Sequence, residues 1–228
     1  MDVISYATAA SLVLLCVLLT ALCARGLYRF LTENARQELP WAGGLGLAAG
    51  AMVIEVVVFF GVVTTPLMDA YVFLSAAIVG ILSLGATHVF QRPRIERAYT
   101  GYVLATCALV AVFSFSTPLP GGMVTNGVIT GNPSLLLLVL SSLVTFPATL
   151  VLLASAVVAV RRSHRWQTLL MIAGALILGA GGTLYIASFP AALYYTEFVG
   201  ILLLFFGLIS LPHPSRASVA AVAPIMAR

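Results

Sequence analysis

Glu55-Val-Val-Val-Phe-Phe-Gly-Val-Val-Thr-Thr-Pro-Leu-Met-Asp69-Ala-Tyr71 is the stretch on which the fold turns. It separates two long apolar runs by a short connection with a proline just past a helix end. Two runs joined so closely must return on each other as an antiparallel helical hairpin. The stretch also carries two of the chain's few acidic residues, Glu55 and Asp69.

The surroundings of this corner define the class of protein. Of 228 residues, 61% are hydrophobic and 8% charged, whereas a soluble domain carries about 25% charged residues. So few charges do not solvate a soluble globule, but they suit a chain whose outer surface is lipid. A bilayer core takes about 20 helical residues to cross. Seven apolar runs are long enough, near 4–25, 41–63, 68–90, 98–116, 133–160, 166–188 and 191–211, followed by a short tail over 212–228. The expected fold is all-α: a single polytopic domain over 1–211, a seven-helix transmembrane bundle.

The connections set the expected orientation. All 11 basic residues are arginines. They fall after the first span (Arg25, Arg29, Arg36), after the third (Arg92, Arg94, Arg97), after the fifth (Arg161, Arg162, Arg165) and in the tail (Arg216, Arg228). The alternate connections have none. The positive-inside rule then places the N-terminus outside and the C-terminus in the cytoplasm of a multi-pass cell-membrane protein. Trp41, Trp166, Tyr28, Tyr99 and Tyr102 read as inner-interface anchors, and Tyr6, Tyr71, Tyr185, Tyr194 and Tyr195 as outer ones.

This orientation divides the charge. Asp2, Glu55, Asp69 and Glu197 lie toward the outer side, and Glu33, Glu38 and Glu96 lie among the arginines. Glu55 is the deepest. With its span ending near 63 it lies about 13 Å from the outer end at 1.5 Å per residue. No basic residue reaches that depth. An ionised carboxylate there costs several kcal/mol unless it is paired or hydrated. Glu55 is therefore expected to be protonated and bonded to a neighbouring hydroxyl, or to face a wet cavity. Glu197 follows a tyrosine pair near the outer end of the seventh span, and Asp69 reads as a cap for the third.

The third span also carries a small and polar stripe: Asp69, Phe73, Ala76, Gly80, Ser83 and Thr87. In the fifth, Ser141, Thr145 and Thr149 share a face beside Pro147, which frees a carbonyl and is expected to kink the helix. Such stripes read as packing seams ahead of pathways. The candidate proton- or substrate-binding residues are thus Glu55, Glu197, Asp69, Ser83 and Thr145; catalytic residues are not identified.

Several functions are excluded or unsupported. The chain has no lysine, so it cannot hold retinal as a Schiff base. Its histidines, His88, His164 and His213, lie at or beyond the inner interface, where they do not suit a transmembrane haem. Cys16, Cys23 and Cys107 have no metal-binding spacing. No cofactor, metal or nucleic-acid partner is expected. The expected partners are the bilayer and either other membrane subunits or further copies of the chain. No catalytic motif names a family. Three readings remain: a small transporter or permease with a protonatable intramembrane carboxylate, ranked first; a non-catalytic accessory subunit of a membrane complex; and a membrane enzyme acting on a lipid or isoprenoid. An enzyme is the less favoured class.

Overall fold

The computed structural model describes residues 3–33, 38–117, 124–125, 128–129, 134–163, 169–170, 172–177, 196, 199–203 and 206. Five long helices dominate: α1 (Val3–Glu33), α2 (Glu38–Phe59), α3 (Thr65–Thr87), α4 (Pro93–Ser116) and α5 (Leu135–Ser163). A 3-10 turn, His88–Phe90, follows α3. Each long helix, α3 together with its 3-10 turn, supplies an apolar stretch of 21–26 residues, enough to cross about 30 Å of hydrocarbon. The described residues are therefore mainly helical, and five helices among them are long and apolar enough to span a membrane. The expected sixth and seventh spans lie largely outside the described residues. Their described parts, 172–177 and 199–203, are helical, and Ala175 and Ile201 are buried in the main core.

The helices are apolar on most of their circumference, as suits helices with lipid or protein core on every side, and each satisfies its own backbone. Hydroxyls inside them follow the same rule. Thr20, Ser75, Thr106, Ser142 and Thr149 each donate to the carbonyl four residues earlier, at 2.8 Å. A hydroxyl bonded in this way is no longer an unsatisfied group that must find a partner on another helix.

Close contacts fix the helix order. Ala42 of α2 sits against Gly26 of α1, and Gly46 against Cys23, so α1 and α2 run antiparallel. Their shared end is closed by a buried ion pair, Arg29 to Glu38 at 2.9 Å. The same logic joins α2 to α3, where the Trp41 indole lies on Gly85 and Leu82 on Gly44. A side chain at Gly85 would occupy the indole's place, so glycine is what lets Trp41 into the interface. Trp41 is therefore a buried packing residue, 7% exposed, and not the interfacial anchor that its place in the sequence suggests.

α3 is the central helix and packs on α2, α4 and α5. Its small stripe is a seam: Gly80 faces Val144 of α5 and both Val103 and Cys107 of α4. The main core joins Leu12, Leu19, Met52, Leu82 and Leu152 from four helices. Large apolar groups such as Leu104, Phe115, Leu135, Phe146 and Leu153 point outward from α4 and α5.

The corner between α2 and α3 differs from its expected form. α2 stops at Phe59 rather than near 63. Gly61 adopts φ +90°, its N–H bonds Val58 O at 2.8 Å, and Val62 N–H bonds Val57 O at 3.2 Å. This paired 6→1 and 5→2 pattern is a Schellman C-cap, which needs a residue at positive φ and so favours glycine. Hydropathy carries the span past Gly61 because Val62 and Val63 are also apolar. α3 then starts three residues earlier than expected, at Thr65, with Pro66 in its first turn and Thr64 as N-cap. Asp69 lies in the second turn and is not a cap.

The connection between α4 and α5 contains a short strand pair. β1 (Val124–Thr125) and β2 (Val128–Ile129) pair antiparallel, Val124 with Ile129 and Thr125 with Val128. The two residues between them in sequence, Asn126-Gly127, are a strong short-range hairpin signal. β2 lies against α2, and Ile129 is buried with Ile54, Val58 and Tyr71.

Candidate functional site: a buried carboxylate in the α2–α3 hairpin

The register that sets Trp41 on Gly85 also brings Glu55 opposite Tyr71. Both lie eight residues from Val63, the middle of the hairpin. The Tyr71 hydroxyl donates to Glu55 Oε1 at 2.6 Å. Glu55 is 4% exposed and Tyr71 5%, and Ala51, Ile54, Val58, Met68 and Ile129 pack around the pair. Of the two environments open to Glu55, the structure provides the hydroxyl partner. Sequence reasoning misses that partner because a tyrosine near a span end reads as an interface anchor. The hairpin symmetry about Val63 is the signal that finds it.

Glu55 lies closer to the helix end than expected. It precedes Phe59, the last residue of α2, by four positions, about 6 Å at 1.5 Å per residue. Its depth is one helical turn, while its burial is nearly complete. Glu55 Oε2 has no hydrogen-bond partner. Among the described residues neither Glu55 nor Asp69 joins an ion pair; the pairs Arg29–Glu38 and His88–Glu96 lie at the opposite end of the bundle.

Asp69 lies on another side of α3. It lies two positions before Tyr71, about 200° around a helix of 3.6 residues per turn. Its side chain is buried at 7% exposure with Oδ1 unpartnered, and its carbonyl accepts from Ser114 Oγ of α4 at 2.6 Å.

Ser83 is remote from both acids, 14 residues beyond Asp69 on α3, or about 21 Å at 1.5 Å per residue. Its hydroxyl donates to Gly80 O at 2.6 Å and lies 2.8 Å from the Tyr99 hydroxyl of α4. Ser83 has one proton, so Tyr99 is the donor of that pair. Thr145 is half-buried on α5, next to Val144 at the level of Gly80, and its carbonyl accepts from Thr149. Glu197 lies outside the described residues. The structure thus joins Glu55 to Tyr71 and Ser83 to Tyr99, and keeps those two pairs apart.

Pro147 sits inside an α5 that runs unbroken to Ser163. Proline has no N–H for the carbonyl four residues back, which is that of Leu143. The Tyr102 hydroxyl of α4 donates to it at 2.6 Å. Tyr102, expected at the inner interface, thus bonds the one carbonyl that Pro147 frees. Among the described residues no group of three His, Cys, Asp or Glu side chains is placed to hold a metal ion.

Comparison of the chain with protein-family models, with curated proteins and with solved structures finds no match.

Proposed function

We propose that the chain is a seven-span protein of the cell membrane, N-terminus outside and C-terminus cytoplasmic, and that it works as a small transporter or permease with Glu55 as its protonatable group. The observation that carries this reading is Glu55 itself. It is a carboxyl group buried at 4% exposure, bonded on one oxygen by Tyr71 and without a partner on the other. A group so placed is expensive to keep charged, and changes of its protonation couple to the packing of the hairpin that holds it. Glu55 is one turn from the outer end of α2, within reach of the outer solution through a small displacement of β2 or of the corner. A transporter uses such a group by binding a proton in one arrangement and releasing it in another.

The accessory-subunit reading fits less well. It would have Glu55 meet a partner's arginine, and a side chain 4% exposed is not open to one. The lipid-enzyme reading needs a lateral opening with polar groups converging on one point, and Ser83 and Thr145 lie far from Glu55.

The test is charge displacement after a pH step, measured on the full chain reconstituted on a solid-supported membrane. The wild type gives a transient current, and Glu55→Gln, which keeps shape but not protonation, loses most of it. Equal currents from both proteins refute the role of Glu55.

A further inference from the structure

Arg94 and Arg97 lie in the first turns of α4, and both are exposed. They are three positions apart, so their Cβ atoms lie about 5–6 Å from each other on one face of the helix. The buried residues of α4, Val103, Cys107, Val110 and Ser114, are on the opposite face. The Arg97 Nε–H donates to Pro93 O at 3.3 Å. That bond turns the guanidinium back toward the start of the helix and leaves its terminal N–H groups for another acceptor. Among the described residues neither arginine joins an ion pair. The one acid of α4, Glu96, is about 200° around the helix from Arg94 and pairs with His88 Nδ1 at 3.2 Å. Two cations without a counter-ion, beside the positive end of the helix dipole, attract an anion.

Beyond the arginines the same face is apolar and low. At about 100° per residue, Ala98, Gly101, Ala105 and Ala108 all fall within about 40° of Arg94, and all four are exposed. A Cβ added at Gly101 meets nothing within 4 Å. Leu104 and Leu109, 54% and 47% exposed, stand on either side of this line. The face is thus a shallow trough from Ala98 to Ala108, about 15 Å long at 1.5 Å per residue. That is half of a hydrocarbon core of about 30 Å, the depth of one leaflet.

We propose that this face of α4 binds an anionic phospholipid, with its phosphate between Arg94 and Arg97 and one acyl chain along the trough. Guanidinium groups match phosphate oxygens in geometry as well as in charge. A chain that fills the trough over one leaflet leaves its phosphate level with the arginines. A soluble phosphate would meet the arginines alone and make no use of the trough. The proposal goes beyond the role of Glu55. It needs α4 to cross a bilayer, in either direction, and nothing of Glu55.

The test is native mass spectrometry of the purified full chain, titrated in detergent with phosphatidylglycerol and with phosphatidylcholine of the same acyl chains. Attraction to an anionic headgroup gives about fivefold in affinity per arginine, so the first phosphatidylglycerol should bind about 30-fold more tightly than phosphatidylcholine. Arg94→Gln and Arg97→Gln should each lower that preference about fivefold. Arg92→Gln removes the same charge on the far side of the helix and should leave most of the preference. Gly101→Phe fills the trough, keeps every charge and should weaken phosphatidylglycerol binding severalfold. The preference should persist in Glu55→Gln, so this reading and that of Glu55 can fail separately. Equal affinity of the wild type for the two lipids overturns the proposal. So does a preference that Arg94→Gln and Arg97→Gln lower no more than Arg92→Gln does, or that Gly101→Phe leaves intact. A dimer in the same spectra, lost in Gly101→Phe, gives the face to a second copy of the chain and overturns it as well.

Discussion

Replacing Tyr71 with phenylalanine removes one atom from the α2–α3 hairpin and keeps the ring that fills it. The lost hydroxyl is the donor to Glu55 Oε1 at 2.6 Å, and Oε2 already has no partner. The variant therefore leaves a buried carboxyl group with neither oxygen bonded. A typical hydrogen bond contributes about 0.5–1.5 kcal/mol, one to a charged group about 1.5–3, and a buried group left unsatisfied costs about 1–3. Tyr71→Phe should thus destabilise the protein by about 1–3 kcal/mol without opening a cavity. The control is Glu55→Leu, which removes the acceptor. Once both partners are apolar, most of the penalty disappears, so Tyr71→Phe should cost little in the Glu55→Leu background. The difference, a coupling energy of about 1–3 kcal/mol, is read by a double-mutant cycle. Reversible denaturant titration in detergent micelles measures all four proteins. A Tyr71→Phe cost below about 0.5 kcal/mol, equal in both backgrounds, would refute the pairing.

Other parts of the fold make separate demands. Tyr102→Phe leaves Leu143 O without its donor and should cost about 1 kcal/mol; in a Pro147→Ala background, where the N–H restored at position 147 can serve that carbonyl, the same titration should show the cost nearly gone. Gly85→Ala forces a Cβ into the Trp41 indole and should cost about 1–3 kcal/mol as overpacking. Gly101→Ala, with nothing within 4 Å of its added Cβ, should be neutral or stabilise by up to about 1 kcal/mol in a thermal melt. Glu38→Gln breaks the buried pair with Arg29 and should cost about 3–5 kcal/mol, while replacing both partners with methionine should cost clearly less.

Sequence and structure agree where hydrophobicity alone decides and part where register decides. Length and apolar runs locate α2 and α3 to within a few residues, because a helix in lipid must satisfy its own backbone. Glu55 is legible as a buried acid with no cation beside it, but not as the deepest one: it lies four positions from the end of α2, and Asp69 four from the start of α3. The environment of Glu55 is not legible, because Tyr71 lies 16 positions away and is found only by folding the hairpin about Val63. The end of α2 is misplaced by hydropathy, which runs through Gly61, a residue whose role depends on φ and not on polarity. Asp69 would be the cap only if α3 began at residue 70, whereas it begins at Thr65 with Thr64 as N-cap and Pro66 in the first turn. Tyr102 shows a further limit. Pro147 announces a free carbonyl in the sequence, but the donor that meets it belongs to another helix.

Infrared difference spectroscopy of the reconstituted protein between acid and alkaline media tests most directly whether Glu55 is a protonatable group inside the bundle. A protonated buried carboxyl gives a C=O stretching band that an ionised one lacks. With Glu55 in that role, the wild type shows this band, Tyr71→Phe shifts it to higher frequency as its hydrogen bond is lost, and Glu55→Gln removes it. A band that survives unchanged in both variants would contradict the assignment.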